Sequence, residues 1–269
     1  MSSSELKSPK AAPRTRVSEP KPRTATQLKK IFRARWSLPE RVEGWSGGGL
    51  NVEFADPGCR RAWMDILRRA VAGGPLRTAL DIGTGPGTIA LLWAELGFSV
   101  SGFDFSPPMI ETARRRASEK GLDIDFREGD AEDPPFVRQR FDVISSRFVL
   151  FTLPHPGYAV RRWVEMLHPG GRLVLIGHDR EEGVMPPHQR PGLPRPAHPI
   201  DARHQKALRE LPFMNHTCGD LRVVMEAVGL NDIQRMPVDE LLAARRRMRM
   251  QEPGIEIPST TPFILAGRR

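Results

Sequence analysis

From Thr78 onward the chain alternates short apolar runs with amphipathic stretches, and this alternation limits the fold more than any other feature of the sequence. The runs "TALDIG" (78–83), "SVSGFD" (99–104), "IDFREGD" (124–130), "FDVISSRFV" (141–149) and "GRLVLIG" (171–177) have strand length and strand composition. Helical spacing lies between them in "TIALLWAEL" (88–96), in the stretch running through "MIETARRRASEK", and from about Tyr158 to Leu167. Parallel strands need crossover connections, so the pattern reads as α/β, built from βαβ units. Ser106 stands where a helix cap is wanted and Pro107 where its missing donor is harmless, with Met109, Ile110 and Ala113 turned inward and Arg114 to Arg116 outward. Downstream, helix (220–230), extended segment (232–238), helix (239–250) and a terminal strand (262–267) suggest an antiparallel end to the sheet.

Charge and composition set the organisation. The net charge is +9 over 269 residues, but residues 1–35 hold ten Lys or Arg against Glu5 and Glu19, which leaves the rest nearly neutral. Through about Gln27 the chain has too few large apolar residues to offset its ordering entropy. Residues 1–30 are therefore expected to be a disordered basic tail, 31–75 an N-terminal helical cover, and 76–269 the main domain. A flap is expected at about 179–215, beginning in the Pro- and His-rich stretch from Asp179 to about Pro199. The tail reads first as a solvated extension, and second as an arm for nucleic acid or an acidic partner. Cys59 and Cys218 form neither a disulfide framework nor a metal pattern, so no metal is expected. No apolar run reaches membrane-spanning length and no secretory signal is visible, which points to a cytoplasmic chain without a membrane partner. Nothing in the sequence sets an oligomeric state.

The stretch "LDIGTGPGTIA" (80–90) carries the chemistry. Gly83 and Gly85 allow a tight turn and close approach of a ligand to the backbone, and Gly87 allows close contact where the helix begins. The dinucleotide fingerprint would place Gly or Ala where Thr88 stands, so the match to it is poor. Asp104 ends the second strand, seventeen residues after Gly87, where a carboxylate can accept both hydroxyls of a ribose. Asp130 ends the third strand. Three acids, Asp81, Asp104 and Asp130, thus converge on one sheet edge and suit an ammonium, a ribose and an adenine amine, whereas they would repel a pyrophosphate.

With "GFDFSPPMI", "FREGDAEDPPF", "FDVISSRFVLFTLPHP" and "LHPGGRLVLIG" following "LDIGTGPG" in order and spacing, the chain resembles the class I S-adenosylmethionine-dependent methyltransferases, in particular the bacterial small-molecule and quinone methyltransferase group. The resemblance is strong over roughly Arg60 to Arg180. It implies a Rossmann-like three-layer sandwich with a seven-stranded, mostly parallel sheet and a reversed last strand. It implies S-adenosylmethionine as cofactor, with Asp81, Gly83, Gly85 and Gly87 at its methionine part, Asp104 at the ribose and Phe105 and Met109 flanking adenine. Asp130 and the Ala131 backbone would meet the adenine edge, and the Ser146 carbonyl would take the ammonium.

Several positions depart from the family pattern. Phe148 and Phe151 stand where relatives carry a His and a Trp, and Trp45 stands roughly where a Tyr is usual. These three residues, with the flap after His178, are expected to form a mostly apolar acceptor pocket, although core packing is an equally open reading for either Phe. A hydroxyl or carbon acceptor would need a base, for which His178, and then His155, stand in position. The expected activity is direct methyl transfer to a small-molecule, biosynthetic acceptor. An RNA or protein methyltransferase docking through the tail and the "RRRMR" run at 245–249, and a non-catalytic cofactor-binding scaffold, are the alternatives; that run reads first as a solvated helix face.

Overall fold

The computed structural model describes residues 22–46, 49–73, 77–136, 138–178, 199–213, 217–252 and 261–269. Seven strands form one sheet: β1 (Thr78–Ile82), β2 (Ser99–Asp104), β3 (Ile124–Glu128), β4 (Phe141–Arg147), β5 (Leu167–His178), β6 (Asn231–Arg235) and β7 (Pro262–Arg268). Their order is β3-β2-β1-β4-β5-β7-β6. The first five are mutually parallel, and β7 runs antiparallel to both β5 and β6. The expected seven-stranded sheet with a reversed last strand is what the chain forms.

Alternation along the strands feeds two cores. Ala79, Val143, Val174, Ile176, Ile264 and Ala266 join one cluster, while Leu80, Ile82, Ile144, Leu173, Leu175, Phe263 and Leu265 join the other. The first face is covered by α3 (Pro57–Ala70), α4 (Thr88–Glu95), α5 (Pro107–Glu119) and α9 (Asp239–Gln251). The second is covered by α6 (Pro156–Glu165) and α8 (Cys218–Ala227). Helix α3 begins at Asp56, whose carboxylate accepts from the Cys59 amide at 2.6 Å, with Pro57 in the first turn. Its buried Cys59, Ala62, Trp63, Ile66, Leu67 and Ala70 follow helical periodicity and pack on the sheet. That part of the expected cover therefore belongs to the main core.

The other N-terminal helices, α1 (Ala25–Trp36) and α2 (Pro39–Ser46), do lie over the site edge. The tail boundary at residue 30 needs correction, because α1 starts at Ala25. Thr24 accepts from the Gln27 amide while the Gln27 side chain accepts from the Thr24 amide, a capping box that satisfies two donors at the helix start. Helix α7 (Pro199–Leu208) packs on α1 through Leu28, Phe32, Ala207 and Leu208, so the expected flap region includes a helix. Residues 179–198 and most of the basic tail lie outside the described residues.

Two further expectations are corrected. Ser106 occupies the cap position of α5, but its hydroxyl bonds the Trp36 carbonyl at 3.1 Å and thereby ties α5 to the end of α1. Arg116 is not outward, since it donates to the Pro86 carbonyl at 2.7 Å and so pins the glycine turn. Among the described residues no helix is long and apolar enough to cross a membrane.

Candidate functional site

The strand order reverses between β1 and β4, and the carboxyl edge at such a switch point is where open α/β sheets bind ligands. An open cleft lies there, with about 770 Å³ of empty space when the adjoining open solvent is included. Its floor is the turn after β1. Gly83, Gly85 and Gly87 all take positive φ, at 63°, 53° and 78°. A Cβ on Gly83 would stand 2.2 Å from the Val149 Cγ2, whereas one on Gly85 would meet nothing within 4 Å. Gly85 therefore leaves backbone exposed to whatever occupies the cavity, and Gly83 lets the turn pack against the segment after β4.

Asp104 ends β2 and lines the cavity. Its carboxylate accepts from the Gly85 amide at 3.0 Å and from the Ser106 amide at 2.9 Å. Burial raises its pKa to about 6, against the opposing effect of these hydrogen bonds. Phe105 and Met109 continue the same wall, and Gly129, Asp130 and Ala131 form the next. The Ala131 carbonyl is taken by the Trp163 indole at 2.7 Å, which fixes this turn to α6.

Asp130 is not open in the way the sequence suggested. Lys29 of α1 reaches its carboxylate at 2.6 Å and also contacts the buried Glu132 at 2.7 Å. Glu132 in turn accepts from the His155 amide at 2.6 Å. His155 is thereby tied to a structural acid, and its ring is exposed.

Five other residues expected at the ligand lie behind the cavity wall. Asp81 is buried and accepts from Thr84 and Ser145 hydroxyls at 2.7 Å each; burial raises its pKa to about 6. It braces the turn and does not line the cavity. Gly87 caps α4 against Phe126 and Ala113. Ser146 bonds the Ile82 carbonyl at 3.1 Å and faces a smaller pocket together with Phe151. Phe151 also packs against the α1–α7 cluster. His178 lies edge-on to Phe148 at 4.7 Å, and burial with nearby Arg245 and Arg147 pushes its pKa down to about 3. A ring so weakly basic, behind the wall, is a poor proton acceptor.

Trp45 and Phe148 do line the cavity, 6.0 Å apart in an edge-to-face pair. Phe148 holds a φ of 61°, strained for an aromatic residue, which turns the chain out of β4. Arg147, to which the sequence reading gave no role of its own, packs beside both rings. Its signal was a lone cation closing an otherwise uncharged strand end. The "RRRMR" run also divides: Arg245 is buried against Glu53, while Arg246, Arg247 and Arg249 are exposed.

The family model described as a methyltransferase domain matches residues 80–175, from inside β1 to inside β5. Among curated relatives, the chain is 38% identical to the demethylmenaquinone methyltransferase of Thermus thermophilus over 124 residues, 45% of this chain and 54% of that one. It is 36% identical to the aklanonic acid methyltransferase DauC of a Streptomyces species over 141 residues, 51% of this chain and 62% of that one. The alignments thus span little more than half the length of these curated methyltransferases. Among solved structures it resembles the fold of Haemonchus contortus phosphoethanolamine N-methyltransferase 2, with a TM-score of 0.62, 17% identity, and 88% of this chain and 60% of that one covered.

Proposed function

We propose that the chain binds S-adenosylmethionine in the cavity at the β1/β4 switch point and transfers its methyl group to a small-molecule acceptor. The observation that carries this reading is the Asp104 carboxylate, buried, lining the cavity and set beside the open Gly85 backbone. Each of its oxygens takes one backbone donor and keeps acceptor capacity for a ribose hydroxyl. The rest of the wall fits the same group: Phe105 and Met109 offer apolar faces to a flat base, and Asp130 and Ala131 stand at its expected edge. For Asp130 to meet an adenine amine, Lys29 must share or release it, with Glu132 as its remaining partner.

The bound group would supply a methyl already activated on a sulfonium. The chain then has to orient the acceptor and exclude water, and orientation alone can lower a barrier by about 7–11 kcal/mol. Trp36 and Trp45, from the N-terminal helices, roof the cavity for this purpose. The aromatic and aliphatic lining supports a small, flat acceptor over a phosphate backbone. Relatives that methylate demethylmenaquinone and aklanonic acid support the same class.

The reading is tested by labelled methyl transfer into host extract split into small-molecule, RNA and protein pools. Label in the small-molecule pool is expected. Label in the RNA or protein pool would move the acceptor to those classes, and donor binding with no transfer to any pool would leave a cofactor-binding scaffold.

A further inference from the structure

Arg147 lines the cavity, yet among the described residues its guanidinium meets no carboxylate at ion-pair distance. Two acids reach it through their charge, Glu53 and Asp81, and both are engaged elsewhere. Glu53 is held by Arg245 and by the Trp63 indole at 3.0 Å, and Asp81 by its two hydroxyl donors. The hydrogen-bond partner of Arg147 is the neutral amide oxygen of Asn51. The Asn51 side chain in turn donates to the Trp45 carbonyl, so one buried amide fixes the cation relative to the roof. The guanidinium carbon lies 5.3 Å from the Trp45 ring centre and 5.1 Å from those of Phe54 and Phe148.

A half-buried cation among aromatic faces, oriented and with no carboxylate at ion-pair distance among the described residues, is a site awaiting an anion. We propose that Arg147 binds an anionic oxygen of the acceptor, and that the acceptor is a flat ring compound carrying an ionised carboxylate, phenolate or enolate. This rests on the methyl-transfer reading above and adds to it the charge of the substrate. It also removes the need for His178, which is held neutral and set back from the wall, to act as a base. An acceptor bound as its anion supplies its own electron pair to the methyl carbon as the carbon–sulfur bond breaks and that pair stays on sulfur. No proton has to leave during transfer. Burial pushes the Arg147 pKa down to about 10, which leaves it protonated at neutral pH. Its planar fork suits a two-oxygen or conjugated oxygen partner.

The test uses the full chain, 2-naphthoate and its uncharged isostere 2-naphthamide, titrated by calorimetry with and without S-adenosylhomocysteine. Wild-type protein is expected to bind the carboxylate about ten-fold more tightly than the amide, and Arg147→Gln to bring the two within about two-fold while its affinity for S-adenosylhomocysteine holds. Arg147→Lys, which keeps the charge and loses the fork, is expected to show an intermediate preference and serves if the Gln variant does not fold. Equal binding of the two probes to wild type, or an undiminished preference in the variants, overturns the proposal. So does a loss of S-adenosylhomocysteine affinity in Arg147→Gln that spares 5′-methylthioadenosine, because the anion would then be the donor's own carboxylate. A chain that ignores S-adenosylhomocysteine but still selects naphthoate through Arg147 keeps the anion site and loses the donor reading.

Discussion

Gly83 and Gly85 are alike in sequence and unlike in surroundings. Gly83→Ala would drive a Cβ to 2.2 Å from Val149 at a φ of 63°, and should cost at least about 2 kcal/mol of stability through clash and backbone strain. Gly85→Ala meets nothing within 4 Å, so only the strain of about 1–2 kcal/mol remains, and its main effect should be on donor binding. Denaturant titration of the two variants beside calorimetry with the donor separates these outcomes. Asp104 makes a pH prediction. A ribose hydroxyl donates to the ionised carboxylate, and burial places that ionisation at about 6, so donor affinity should be full above this pH. It should then fall about ten-fold per unit as pH drops below it. Asp104→Asn should bind weakly with a flat profile between pH 5 and 8, and a wild-type affinity that does not change over that range would contradict the role given to Asp104.

At the scale of elements, α1 is held over the cavity by Lys29 on Asp130 and Glu132 and by Arg33 on Glu128. These pairs are partly exposed and worth about 1 kcal/mol or less each. Lys29→Ala should therefore leave the melting temperature almost unchanged while amides of residues 25–36 exchange faster and those of β1 and β4 do not; hydrogen exchange resolved by segment reads this directly. The strands were legible because both faces of the sheet are covered, which makes each one a short apolar run bounded by turn residues. The start of α1 was less so. Its capping box, Thr24 to Gln27, lies in a stretch whose average composition resembles a solvated tail, and the apolar Leu28 and Phe32 that pay for its order find their partners in α7, more than 170 residues away. Of the residues expected at a cofactor, Gly83, Gly85 and Asp104 were named from strand-end spacing and Phe105 and Met109 from the family resemblance, and all five line the cavity. The acceptor side was not legible in this way. Whether Phe148 or Phe151 faces the cavity depends on the positive φ at Phe148, which no sequence pattern announces.

The whole molecule balances opposing titrations. His178 is neutral in the fold down to about pH 3, whereas the same group in the unfolded chain takes a proton near its ordinary pKa of 6.5. Stability contributed by keeping it neutral is present above 6.5 and is lost as pH falls toward 3. Asp81 and Asp104, raised to about 6 by burial, act in the other sense: the fold holds their protons more tightly than the unfolded chain, so acidification through this range favours it. His178→Gln should leave the second effect alone and melt at a higher temperature than wild type at pH 5 relative to pH 7.5. The central claim is that the β1/β4 cavity holds a methyl donor through Asp104. Titration of S-adenosylhomocysteine into wild-type protein and into Asp104→Ala tests it most directly. Saturable one-to-one binding, weakened by about 1.5–3 kcal/mol in a variant that remains folded, is the predicted result; no binding to wild type, or equal binding to both, would contradict it.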